Sequence, residues 1–207
     1  MIRILAGIAL GVFATFAGIM LLLVLLQSGD EDQFAECRGT RVAGGGGNMG
    51  GPFTLIDGAG AEVTDRDVFA KPSLLYFGYT YCPDVCPLDV ARNADAVDLL
   101  KERGYDSQPV FISIDPERDT PEVVSDYAES LHEDMIALTG SPDQIKTASK
   151  AYRTYYRKQD GDEEFYLVDH STFTYLVMPE TGFTEFFRRD ATPDQVAEAV
   201  ACFIDAS

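Results

Sequence analysis

The sequence predicts an α/β domain with a partly parallel sheet, carried behind a single N-terminal transmembrane helix. Three observations predict it. Residues 4–26 form an unbroken apolar run in which Thr15 is the only polar side chain. From Pro52 to the C-terminus, short buried-type strands alternate with helical patterns, the signature of strands linked by crossover helices. Apolar residues make up 46% of the 207, enough to fill a core and to exclude wholesale disorder.

The apolar run is about 23 residues, or roughly 34 Å as a helix, which spans a bilayer core. Arg3 precedes it, and Asp30, Glu31 and Asp32 follow. Orientation follows positive charge, so the N-terminus is expected in the cytoplasm and the remainder on the extracytoplasmic, periplasmic-type side. A cleaved signal peptide has a shorter apolar region, about 7–15 residues, and a small-residue cleavage site. Neither fits, so residues 1–28 read as a retained membrane anchor.

Residues 29–50 read as a flexible tether, polar and then glycine-rich from Gly44 to Gly47. A phosphate-cradling loop would end in Gly-Lys-Ser/Thr. Here Pro52 follows Gly51. Residues 51–207 then form the domain.

Phe53–Ile56 reads as a strand, Asp57-Gly58 as a turn, and Glu62–Thr64 as the returning strand. Ser73–Tyr79 is an apolar run between prolines and glycines, hence a buried strand. A helix is expected over 85–103, with Val90, Ala94, Val97 and Leu100 on one face. Val110–Ile114 is the next buried strand. Thr120-Pro121 starts a helix to about Leu131, with Thr as N-cap and Pro in the first turn. Met135–Leu138 is a strand. Ser141 and Gln144 are spaced as a capping box for another helix. Strands are expected over 164–168, 172–178 and 183–187. Thr192-Pro193 opens a last helix to about Ile204.

The formal net charge is −18. That excludes nucleic acid as a partner, because a phosphate backbone is bound by clustered Lys and Arg. It suits simple solubility or a basic protein partner.

Chemistry concentrates in Cys82-Pro83-Asp84-Val85-Cys86-Pro87, which follows a buried strand and opens a helix. Sites in open α/β sheets gather at the carboxyl ends of strands, and a helix N-terminus favours thiolate. Side chains four apart share a helix face, so both sulfurs are able to meet one ion. Two thiolates and one imidazole suit Cu(I), and also zinc. Structural zinc takes four protein ligands, and iron–sulfur clusters as a rule four cysteines. Cys37 and Cys202 lie near the two ends of the chain outside the anchor, which leaves copper. His170, after Tyr166-Leu167-Val168-Asp169, is the natural third ligand from a loop between strands. Asp169 reads as a solvated carboxylate, and His132, beside Glu133 and Asp134, as a surface residue.

The segments FGYTYCPDVCP (77–87), SIDPERDTPE (113–122), YLVDHSTFTYLVMPETG (166–182) and GGPFTLIDGAG (50–60) resemble the Sco/SenC family of copper chaperones. The likeness covers about 50–207 in the family's order. It implies a thioredoxin-like fold, copper held by Cys82, Cys86 and His170, and a role in assembling the copper centre of cytochrome c oxidase. The partners it implies are the oxidase copper subunit or another copper or redox protein. The family also admits a reversible Cys82–Cys86 disulfide and thiol–disulfide reductase activity, since thiols must be reduced before copper loads.

Two rivals are readable. Thiol–disulfide oxidoreductases usually carry Cys-x-x-Cys, with a cis-proline beside the pair, where this chain has His170-Ser171. A copper or redox sensor acting on a membrane signalling partner is the other. A peroxidase would need a lone activated cysteine in its own motif. Finally, an even cysteine count outside the cytoplasm invites pairing, and domain termini are often close. A structural Cys37–Cys202 disulfide is therefore expected. The alternative is a buried Cys202 and a free Cys37.

Overall fold

The structure, a computed structural model, describes residues 13, 15–22, 33–38, 49–161 and 165–207. The chain divides into two units, 1–36 and 37–207. In the first, residues 13 and 15–22 are helical and exposed. The expected membrane span over 4–26 falls largely outside the described residues. Among the described residues, no helix is long and apolar enough to cross a membrane.

The second unit contains β1 (Thr54–Asp57), β2 (Glu62–Thr64), α1 (Asp65–Val68), β3 (Ser73–Gly78), α2 (Val85–Glu102), β4 (Gln108–Ser113) and α3 (Pro121–Leu131). It continues with β5 (Ile136–Thr139), α4 (Pro142–Ala151), β6 (Tyr156–Lys158), β7 (Val168–His170), β8 (Thr174–Met178), β9 (Gly182–Phe187) and α5 (Pro193–Asp205). Seven strands form one sheet in the order β2-β1-β5-β4-β3-β8-β9. β3, β4 and β5 run parallel, and the flanking strands are antiparallel. This is the mixed α/β, thioredoxin-like arrangement.

All six residues of both β3 and β4 are buried. That follows from a parallel centre covered on both faces, and it explains why these strands are apolar runs rather than alternating patterns. α5 packs on α2, while α3 lies against β5 and β1. Helix starts are set by local chemistry. Thr120 accepts from Val123 N, with Pro121 at the first position. Ser141 with Gln144, and Thr192 with Gln195, form full capping boxes. Each satisfies amides that no turn of helix reaches.

The strand expected over 164–168 needs correction, and two short elements were not readable from the sequence. β7 covers 168–170 rather than 164–168, and it pairs with β6 in a separate two-stranded sheet. Phe165–Leu167 form no strand: Phe165 and Leu167 are exposed, and Tyr166 and Val168 are buried. β6 itself was unreadable, because Tyr-Arg-Lys carries no apolar alternation. α1 was missed because four residues show no periodicity, although Thr64 and Asp67 form its capping box. At the junction with the domain, Gly50 N donates to Ala151 O at 2.9 Å, and Met49 packs against the core.

Cys37, beside the described end of the tether, meets Cys202 in the last turns of α5, with Cα atoms 5.6 Å apart and their sulfurs in bonding contact. Arg38 Nη1 donates to Thr184 O at 2.6 Å on the neighbouring strand β9. The pair closes a separation of 165 residues, so cutting it frees a long loop in the unfolded chain. Cys202→Ser is expected to lower unfolding free energy by about 2–4 kcal/mol in urea titration of non-reduced protein. Wild type with reductant should show the same loss.

Candidate metal centre

The strand registers converge three segments on one end of the sheet. Gly78 ends β3 opposite Ser113 of β4, and Thr174 starts β8 opposite Tyr76 and Phe187. The cysteine loop leaves β3 there, the Asp115–Asp119 turn leaves β4 there, and His170 arrives just before β8.

Cys82 is 8% exposed and Cys86 is fully buried. The two thiols and the His170 imidazole offer ligand atoms within 4.8 Å of one another, the only such group of three among the described residues. α2 begins without a side-chain cap from Asp84. In its place Cys82 Sγ accepts from Cys86 N at 3.3 Å, so a sulfur takes up an amide that the helix leaves free.

The thiol of Cys82 is held far below its ordinary value, to about 3, chiefly by a hydrogen bond from the Cys86 thiol. The amides of Asp84 and Cys86 add to this, against burial. Cys86 is pushed up by the neighbouring Cys82 sulfur and by burial. The two sulfurs are therefore coupled, and one negative charge on the pair is favoured over two.

His170 Nδ1 lies 2.9 Å from the Ser171 carbonyl oxygen. A carbonyl only accepts, so Nδ1 carries the proton and Nε2 keeps its lone pair. Nε2 stands 3.3 Å from Cys86 Sγ. The ring is wedged edge-on between Tyr76, at 6.1 Å, and Tyr79, at 5.8 Å. Burial pushes the Tyr79 phenol up to about 12, so it stays neutral. Asp169 faces away: it accepts from Gln159 Nε2 at 2.6 Å and Arg157 Nη2 at 3.3 Å. Those bonds hold its carboxyl below the usual range. His132 is not on the surface as expected. Its side chain is 6% exposed, near Asp98 at 3.3 Å, and its Nδ1 accepts from Asp134 N.

Sequence reasoning missed the supports. Asp119, fully buried, accepts from Thr80 N at 3.0 Å, from Thr80 Oγ1 at 2.6 Å and from Ser113 Oγ. It thereby ties the cysteine loop to the end of β4, although burial pushes its carboxyl up. Gly78 passes beneath the thiols. A Cβ there would meet Tyr76 Cε1 at 2.9 Å and Cys86 Sγ at 3.1 Å. Every exposed large apolar side chain described in the 37–207 unit also lies on these segments or their hairpin partner: Tyr81, Leu88, Tyr155, Phe165, Leu167 and Phe173. The positions were visible as FGYTY and SIDPERDT, but nothing in the residues told which atoms they would meet.

Comparison with known proteins agrees with this geometry. The family model described as SCO1/SenC matches residues 42–205. Protein SenC of Rhodobacter capsulatus is 56% identical over 184 residues, covering 88% of this chain and 82% of that protein. The mitochondrial "Protein SCO1 homolog 1" of Arabidopsis thaliana is 44% identical over 153 residues, 73% of this chain but only 46% of that protein. The chain thus spans about half of that relative's length. A crystal structure of Arabidopsis thaliana ScoI with copper bound superposes with a TM-score of 0.72 at 43% identity, covering 76% of this chain and 99% of that one.

Two measurements probe the centre. In reduced apo protein, alkylation of Cys82 by iodoacetamide should be nearly independent of pH from 5 to 8, because the thiolate persists down to about 3. Cys86 should stay unmodified; an ordinary thiol rises about tenfold per pH unit in that range. Gly78→Ala should spread the site, and its thiol titration should move toward ordinary values in an absorbance titration at 240 nm.

Proposed function

We infer, because this chain belongs to the SCO1/SenC family, that it is a membrane-anchored copper chaperone. It binds copper through Cys82, Cys86 and His170 and serves assembly of the copper centre of cytochrome c oxidase. The observation that carries the reading is the convergence of two thiols and one free imidazole nitrogen within 4.8 Å, a soft donor set suited to Cu(I). Copper bound in the similar Arabidopsis protein supports it. Two sulfurs suffice for Cu(I), whereas Cu(II) needs the nitrogen as well. Copper is the cargo here, and the cysteine pair releases its remaining proton when the ion loads.

We place residues 1–28 as the anchor, with the N-terminus cytoplasmic and the 51–207 domain on the extracytoplasmic side, joined by residues 29–50. Cys37–Cys202 acts as a structural staple in that oxidising compartment. Cys82 and Cys86 serve as the exchanging pair, forming a disulfide when two electrons pass to a disulfide oxidant of that compartment and the pair's one remaining proton leaves. The low value of Cys82 also favours a second reading, in which the same pair reduces a disulfide of the oxidase copper subunit before metal is delivered. The partner is that subunit or another copper or redox protein.

The test is copper titration of the full chain in detergent, with reductant. Wild type should bind about one Cu(I), as a single two-thiolate site does. Cys82→Ser and Cys86→Ser should each abolish tight binding, and His170→Ala should weaken Cu(II) far more than Cu(I). Undiminished Cu(I) binding in the double cysteine variant would sink the assignment. Disulfide-oxidised protein should bind no Cu(I) until reduced.

A further inference from the structure

Arg118 lies in the turn after β4, and metal ligation makes no use of it. Its side chain is 14% exposed. Nε donates to Asp115 Oδ2 at 2.6 Å, and Nη1 donates to the Tyr166 carbonyl oxygen at 3.1 Å. The remaining Nη2 is buried without an acceptor, so aromatic faces are what the charge meets. The guanidinium carbon stands 3.6 Å from the Tyr166 ring centre, 4.8 Å from that of Tyr81 and 5.8 Å from that of Tyr79.

The rings come from the cysteine loop and from the hairpin. Tyr81 immediately precedes Cys82. Tyr79 meets the His170 ring edge-on at 5.8 Å, and its hydroxyl accepts from Val168 N at 3.3 Å. Tyr166 leads into β7, and its hydroxyl donates to Asp115 Oδ1 at 2.6 Å. The β6–β7 hairpin that carries His170 has no strand neighbour in the seven-stranded sheet. Its hold on the domain therefore rests on side-chain bonds of this kind.

We propose that Arg118 is a positioning residue, which sets His170 against the two thiols by clamping the β6–β7 hairpin onto the cysteine loop. The clamp needs a planar fork. One arm reaches a carboxylate on the β4 turn, another reaches a carbonyl on the hairpin, and the flat face stacks on tyrosines. Lysine keeps the charge beside Asp115 but supplies neither the second arm nor the face. The consequence for metal rests on the reading of His170 as a ligand; the clamp itself does not.

The test uses the full chain in detergent, as Arg118→Lys and Arg118→Met. Arg118→Lys guards against misfolding, since Asp115 keeps a cation beside it. In reduced apo protein, the Val168 amide should exchange at least about tenfold faster in both variants, as losing a charge-assisted hydrogen bond implies. β3 and β4 amides should keep wild-type protection. The 15N signals of the His170 ring should move from one fixed tautomer toward an average. With copper, both variants should lose Cu(II) affinity as His170→Ala does, and combining either with His170→Ala should cost nothing more. Wild-type exchange at Val168 in both variants would overturn the clamp, and so would Cu(II) losses that add in the double variants. If His170→Ala leaves Cu(II) affinity intact, the ligand assignment falls instead, and the exchange and ring signals still decide the clamp.

Discussion

The amide of Cys86 bonding to the sulfur of Cys82 is the interaction from which the centre is built. α2 starts where β3 stops, with an N-cap residue, Asp84, whose side chain makes no capping bond. A free amide at a buried helix start is costly, and a sulfur fills the place. That choice fixes the Cys82 side chain and favours its anion. It also puts Cys86 one turn on, on the same face. The two sulfurs are then close enough that a single negative charge is favoured over two, which is why the shifts run in opposite directions. Gly78 leaves room for this, since a Cβ there would press on Tyr76 and Phe111 and crowd the Cys86 sulfur.

Burial of the pair has a cost for a protein that must exchange its cargo. Cys86 is fully enclosed and Cys82 nearly so, so transfer needs a partner at close range. Within the 37–207 unit, the exposed large apolar side chains described gather on the segments that hold the ligands or beside them, while a net charge of −18 opposes self-association. Such an arrangement favours encounter with a different surface over self-association.

Much of this was legible in the sequence, and what was not follows from the physics. Long elements with caps were readable: Ser141/Gln144 and Thr192/Gln195 mark helices because the capping bonds are local. β3 and β4 were readable because burial on both faces leaves an apolar run. Cys82 and Cys86 were readable because their spacing at a strand–helix junction is itself local. The hairpin was not, because Tyr156–Lys158 pairs with Val168–His170 and nothing in either stretch encodes the other. His132 failed for the same reason, since its neighbour Asp98 lies 34 residues away on α2. Arg118 sits in a quoted motif, yet its three tyrosines come from two distant segments.

The surroundings of His170 bear on which ion the centre suits. Two sides of the imidazole are closed by Tyr76 and Tyr79, and its far nitrogen is committed to the Ser171 carbonyl. Asp169 is held outward by Arg157 and Gln159, although it is the next residue along. Among the described residues, no fourth His, Cys, Asp or Glu joins the three. A tetrahedral structural ion would be left one ligand short. A soft monovalent ion that is content with two sulfurs loses little by the arrangement.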